Sequence, residues 1–151
     1  MANRKIKNAQ PNEYDGIQFR SVFEANAYRK LKENGFSPLY EAEKVILFKG
    51  FKPLRCWYKD GVPVLTPKLK IPKILDIVYT PDFKLEINGM TVYIEIKGFP
   101  NDVYPLKRKL FLRKINDENA MFFEVHDMRG LALTIEKLKD VNTFTKNQGE
   151  Q

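Results

Sequence analysis

Between Asp76 and Gly98 the chain reads Asp76-Ile-Val-Tyr-Thr-Pro-Asp82-Phe83, then Asn88-Gly89, then Thr91-Val-Tyr-Ile-Glu95-Ile-Lys97-Gly98. Apolar residues occupy alternate positions at Met90, Val92, Ile94 and Ile96. That is the period of a half-buried strand, and Asn-Gly is the pair favoured in a two-residue hairpin turn. The stretch is therefore expected to form a β-hairpin. With Asn88 and Gly89 as the loop, Ile87 faces Met90, Phe83 faces Ile94 and Asp82 faces Glu95. Directly opposed like charges destabilise a sheet, and Lys97 on the same face relieves only part of the repulsion. A divalent cation would relieve more. An acidic pair with a lysine beside it on rigid strands is what metal-assisted hydrolysis requires. Taken alone, the same residues more often form a surface salt-bridge ladder.

The rest of the chain decides between these readings. At 151 residues, 43% of them hydrophobic, it has the size of one domain with a single core. It divides into a flexible basic arm at 1–13, a domain at 14–139 with a basic insertion at 49–74, and a polar tail at 140–151. No apolar run reaches membrane-spanning length and no secretory signal opens the chain, so a soluble, cytoplasmic protein without a membrane partner is expected. Cys56 is the only cysteine, which excludes an intramolecular disulfide and a cysteine-based zinc site. Lys and Arg number 26 against 19 acids, a net charge of +7, which favours polyanionic partners.

Taken in order, Ser21-Val-Phe-Glu24 has the form of a capping box and Gly35 is a stop signal, which predicts a helix from Val22 to Asn34. Glu24 falls among Ala27, Tyr28 and Leu31 on the apolar stripe, so it is either the reciprocal cap or a carboxylate turned inward toward a metal or its water. Leu39 to Phe48 reads as a strand with Glu41 and Glu43 on one face. In the insertion, Lys52, Arg55, Lys59, Lys68, Lys70 and Lys73 surround Trp57 and Tyr58 against the lone acid Asp60, a composition suited to phosphates and base stacking. Leu106 to Ile115 reads as a helix with Leu106, Leu110, Phe111 and Ile115 inward and a basic ridge of Lys107, Arg108, Lys109, Arg113 and Lys114 outward. Met121 to His126 is then a strand parallel to that of Glu95, with His126 a rim residue, and a last helix spans Leu131 to Leu138. The order is α-β-β-β-α-β, an α/β fold.

Pro81-Asp82, twelve intervening residues and Glu95-Ile96-Lys97 resemble the motif of the PD-(D/E)XK nuclease superfamily. Phe19-Arg-Ser-x-x-Glu24, Gly35 with Tyr40-Glu41, Tyr79-Thr-Pro-Asp-Phe83 and Glu95-x-Lys-Gly98 are similar, in that order, to the endonuclease I family of T-odd bacteriophages, Holliday-junction resolvases. The chain also resembles a phage family of the same superfamily with no assigned function, which shares the basic helix after Lys-Gly. The resemblance implies a restriction-endonuclease-like core with a mixed central sheet flanked by helices. It implies Mg²⁺, or Mn²⁺, held by Asp82, Glu95 and the backbone carbonyl of Ile96, with Glu24 at a second metal or its water and Lys97 orienting or activating the attacking water. The catalytic set is then Glu24, Asp82, Glu95 and Lys97, and the partner is DNA, branched by preference, with the resolvases' homodimer as a model for assembly. Arg20, Lys52, Arg55, Trp57, Lys68, Lys70 and the ridge residues are the expected DNA contacts. Two departures stand out. Leu39 occupies the place of an acid in the resolvases, leaving Glu41 or Glu43 as the accessory acid, and the 49–74 insertion is longer. A sequence-directed or repair-type nuclease and a non-catalytic DNA-binding module on the same fold are the alternatives, and a protein-interaction domain carrying a surface ion-pair ladder is a third.

Overall fold

A computed structural model describes residues 12–65, 73–98 and 101–146. In chain order the elements are β1 (Glu13–Tyr14), β2 (Ile17–Gln18), α1 (Val22–Glu33), β3 (Leu39–Tyr40), β4 (Val45–Phe48), β5 (Trp57–Lys59), β6 (Val62–Leu65), β7 (Ile77–Tyr79), β8 (Phe83–Ile87), β9 (Met90–Ile96), α2 (Tyr104–Ile115), β10 (Ala120–Val125) and α3 (Met128–Lys146). They belong to two compact units, one drawn from Met1–Ala42, Pro81–Pro100 and Glu118–Gln151, the other from Glu43–Thr80 and Asn101–Asp117.

The first unit is built on the expected hairpin. Asn88 and Gly89 take φ of 52° and 79°, the pair of positive values that a type I′ turn needs and that Asn and Gly tolerate. β8 and β9 pair antiparallel with Ile87 opposite Met90 and Phe83 opposite Ile94, the register set by that turn. The central sheet runs in the order β10-β9-β8-β3, with β10 parallel to β9 and the other pairs antiparallel. The fold is thus α/β with a mixed sheet. Val92, Ile94 and Ile96 put one face of β9 into a core that also takes Ala27, Tyr28 and Leu31 of α1 and Leu131, Ile135 and Leu138 of α3. Ser21 caps α1 by accepting the N–H of Glu24 at 3.1 Å, and Asp127 caps α3 by accepting that of Gly130 at 2.7 Å.

The second unit contains the antiparallel pair β4-β7, the separate hairpin β5-β6 and α2. Tyr79 of β7 meets Phe111 of α2 edge-to-face, ring centroids 4.9 Å apart and planes inclined at 61°, and Tyr104, Phe111 and Ile115 form the buried stripe of that helix. At the start of the unit's basic segment Gly50 has no room for a side chain, since a Cβ would lie 2.2 Å from the carbonyl oxygen of Ile74.

Several expectations are corrected. The strand from Leu39 to Phe48 is broken in two. Glu41 takes φ 44°, and its N–H is held at 2.8 Å by the carbonyl of Asp82, so Leu39–Tyr40 pairs with β8 while Val45–Phe48 pairs with β7. Glu41 and Glu43 therefore share no strand face. The run before the hairpin is likewise interrupted between Tyr79 and Phe83, where Pro81 has no N–H to give a ladder. α2 begins at Tyr104 with Pro105 in its first turn, so its inward stripe is Tyr104, Phe111 and Ile115 and Leu106 points to solvent. Glu13, the last residue of the expected arm, pairs with Gln18, and Tyr14 with Ile17, around Asp15-Gly16, while residues 1–11 lie outside the described residues. α3 starts three residues earlier than expected and continues to Lys146, through much of the stretch read as a polar tail. Of the expected buried strand at 121–126, only Val125 is fully buried and His126 lies past its end.

Phe83 has no exposed surface and packs against the rings of Tyr28 and Tyr40, with centroids 6.3 and 5.7 Å away. Phe83→Ala should lower unfolding stability by about 3–5 kcal/mol, read as a shift in the urea midpoint at unchanged slope.

Candidate active site

In most folded chains carboxylates stay at the surface. Among the described residues three charged side chains are buried, Glu24, Asp82 and Glu95, and all three are acids singled out in the sequence. Asp82 immediately precedes β8, and its Oδ2 accepts the N–H of Ile96 at 2.7 Å. The carboxylate thus closes the end of the hairpin where the strand ladder stops at Phe83. Glu95 lies on the face of β9 opposite the apolar core, 3% exposed, with the ammonium of Lys97 2.6 Å from its Oε1. The backbone N–H of Lys97 is fixed by the carbonyl of Val125 at 2.8 Å. Desolvation by burial, then the charge of Glu95, push the Asp82 carboxyl up from its usual 3.8 to about 7, with Glu24 adding to the rise and the Ile96 N–H and Lys97 opposing it.

Glu24 is held from three sides. Ser21 Oγ donates to its Oε1 at 2.9 Å, and the Arg20 N–H and the Tyr40 hydroxyl donate to its Oε2 at 3.2 and 2.6 Å. Both halves of the cap exist, with the reciprocal bond going to the N–H of Arg20 instead of that of Ser21. Burial, then the bond to Glu24, raises the Tyr40 hydroxyl well above its usual pKa, so it remains a donor. Glu41 lies beside Arg20, whose guanidinium is 2.6 Å from its Oε1, close enough for ion pairing but not aligned as a hydrogen bond.

These positions were compared with known proteins. The chain belongs to the family described as protein of unknown function, DUF1064. The family model matches residues 4–129, which include all four acid and lysine positions of the site. No curated protein and no solved structure matches the chain.

In this family member the other expected site residues fall into two groups. Arg20 is in the first unit with the acids. Lys52, Arg55, Trp57, Lys107, Arg108, Lys109, Arg113 and Lys114 are in the second, and Lys68 and Lys70 lie outside the described residues. The ridge on α2 is less uniform than expected: Lys107 and Arg108 are half-buried, Arg108 sits 5.8 Å from the Tyr104 ring centroid, and Arg113 pairs with Asp117 at 3.4 Å. Two neighbours of the site were not singled out by the sequence. Glu124 of β10 stands directly beside Glu95 in the parallel ladder, with His126 Nε2 2.7 Å from its Oε1, and Tyr40 supplies the hydroxyl that fixes Glu24. A crossover fixes strand direction but not register, so Glu124 was legible only as a strand residue.

Among the described residues no three His, Cys, Asp or Glu side chains gather as a ready-made metal cage. A magnesium site does not demand one, because Mg²⁺ keeps several waters and takes one or two carboxylates plus substrate phosphate. Asp82 and Glu95 offer hard oxygens of that kind. Burial first, and then the charge of Glu95, disfavour the ionised Asp82 carboxylate, and a cation beside it would favour that form. The donor set fits a hydrated divalent ion.

The shift also sets a pH dependence. Between the unfolded value near 3.8 and the folded value of about 7, the folded protein holds a proton on Asp82 that the unfolded chain has lost. Stability must therefore fall as pH rises across that window, by roughly 4 kcal/mol in total. Carboxyl NMR should place the Asp82 titration near neutrality, and Glu95→Gln should move it down. A titration near 4 in both proteins would contradict the coupling.

Proposed function

We propose that the protein is a divalent-metal-dependent DNA endonuclease, selective for branched DNA and acting as a junction resolvase. The supporting observation is that the buried acids among the described residues, Glu24, Asp82 and Glu95, are the acids of the resembled motif, with Lys97 in contact with Glu95. Buried charge is costly to fold, and a surface ion-pair ladder would not need it.

In this reading Asp82, Glu95 and the carbonyl of Ile96 hold Mg²⁺ or Mn²⁺, which when bound polarises a phosphoryl oxygen and lowers the pKa of a bound water. The Ile96 N–H orients the Asp82 carboxylate toward that task through the 2.7 Å bond. Lys97, 2.6 Å from Glu95, would supply the positive charge that orients the attacking water and offsets the negative charge developing on the phosphorus oxygens. Glu24, held by Ser21, Arg20 and Tyr40, would supply a further carboxylate for the metal or its water. The cations of the second unit bind the phosphates of the substrate.

One observation favours a second reading, a DNA-binding module with an idle site: the acids present form no cluster of three among the described residues. Cleavage decides. Purified protein with Mg²⁺ should cut a four-way junction faster than a linear duplex of the same arms, and Lys97→Ala should slow cutting by about 10²-fold or more. Absence of metal-dependent cleavage of any DNA form, or cleavage unaffected by Lys97→Ala, rules the nuclease out. DNA binding in chelator without product in Mg²⁺ would establish the idle module.

A further inference from the structure

A two-stranded hairpin on its own is marginal in water, and β5-β6 is built with nearly every side chain exposed. Trp57 and Tyr58 are 57% and 55% exposed and Val62 is 62%. Next to the hairpin, the backbone bridge of Phe51 with Ile74, two N–H···O bonds of 2.9 and 2.8 Å, brings the two ends of the basic segment together. Between them opens a groove of about 470 Å³ lined by Phe51, Pro53, Trp57, Val64 and Ile74, with Lys73 as its cation. A volume of that size is typical of sites for small organic ligands.

We propose that this groove is a stacking site for an unpaired nucleobase, so that the protein distinguishes opened or single-stranded DNA from intact duplex. The proposal rests on DNA being the partner, as read above, and not on cleavage. Apolar lining alone would suit a protein partner equally well. The surrounding charge favours a nucleic acid. Lys52, Arg55, Lys59 and Lys73 surround the hairpin in sequence against the single acid Asp60. The nearby Asp76 is already occupied, accepting the Gly50 N–H at 2.7 Å and pairing with Lys49 at 3.0 Å. Among the described residues Lys52, Arg55 and Lys59 take part in no ion pair. An aromatic wall with unneutralised cations around it offers a face to the base and charge to the phosphates. A duplex keeps its base faces stacked inside, so only unpaired nucleotides can use the wall.

Trp57 is the only tryptophan in the chain, which makes its fluorescence a direct reporter. The full-length protein, in chelator and at low salt, is titrated with oligothymidylate, with a duplex, and with an oligomer of equal length made of abasic sites. Oligothymidylate should quench Trp57 emission, and the duplex and abasic strand should leave it nearly unchanged. Trp57→Ala should weaken single-strand binding by roughly 5- to 100-fold, with a smaller loss on duplex, while Trp57→Phe, which keeps an aromatic face, retains most of the affinity. Equal quenching by the abasic strand, or single-strand affinity unaltered by Trp57→Ala, overturns the stacking site while leaving the nuclease reading intact. A dimer in sedimentation with Trp57 emission blue-shifted in the absence of DNA also overturns it, by assigning the groove to a second copy of the chain. Because no metal is present, loss of cleavage in a separate assay leaves this inference standing.

Discussion

The bond from the Ile96 N–H to Asp82 Oδ2 joins the fold to the candidate chemistry. It ends the β8-β9 hairpin on a side chain instead of a further backbone rung, which leaves the Asp82 carbonyl to accept the N–H of Glu41. That second bond ends the short pairing of β3 and starts the turn in which Glu41 takes positive φ. One carboxylate residue thus sets where two strands stop and holds its own charge next to Glu95. Removing it would change both the backbone pairing and the electrostatics, so its effects on folding and on any activity are coupled from the outset.

The two units divide the residues of interest by chemistry. The buried acids, Lys97 and the cap that fixes Glu24 are in the unit with the four-stranded sheet, whereas the α2 cations, Trp57 and the exposed hairpin are in the other. The function proposed above would give the division a physical reason. A site that must hold carboxylates in a fixed geometry benefits from strands whose neighbours are packed, as β9 is on both sides in the sheet. A surface that follows a phosphate backbone benefits from exposed, solvated cations and stacking rings, which a packed sheet cannot provide.

Strong local signals made part of this legible in the sequence. The Asn88-Gly89 turn and the alternation from Met90 to Ile96 fix the hairpin register without tertiary information, since a slip of one residue would turn the whole apolar set outward. Ser21 and Glu24, with the stripe of Ala27, Tyr28 and Leu31, fix α1 and the inward direction of Glu24 in the same way. What was not legible depends on partners distant in sequence. The break at Glu41 comes from a bond to the Asp82 carbonyl, the rotation of α2 from the edge-to-face contact of Phe111 with Tyr79, and the place of Glu124 from a parallel register that the turn chemistry does not encode. Strand propensity is strong at Leu39-Tyr40 and from Val45 to Phe48 but weak across Glu41-Ala-Glu-Lys44, where the bond to the Asp82 carbonyl fixes the break.

Burying the carboxyls of Asp82 and Glu95 carries a desolvation cost, which the Ile96 N–H and the ammonium of Lys97 oppose. The cap makes the same point for Glu24, because a capping carboxylate works equally well at the surface, and here it is 8% exposed and sits among Ala27, Tyr28 and Leu31. Three acids are thus kept from water, each oriented by a named donor or cation. In the reading proposed above, a hydrated divalent ion carrying a phosphate would add positive charge beside them, and binding to the folded state alone would add its free energy to that of folding.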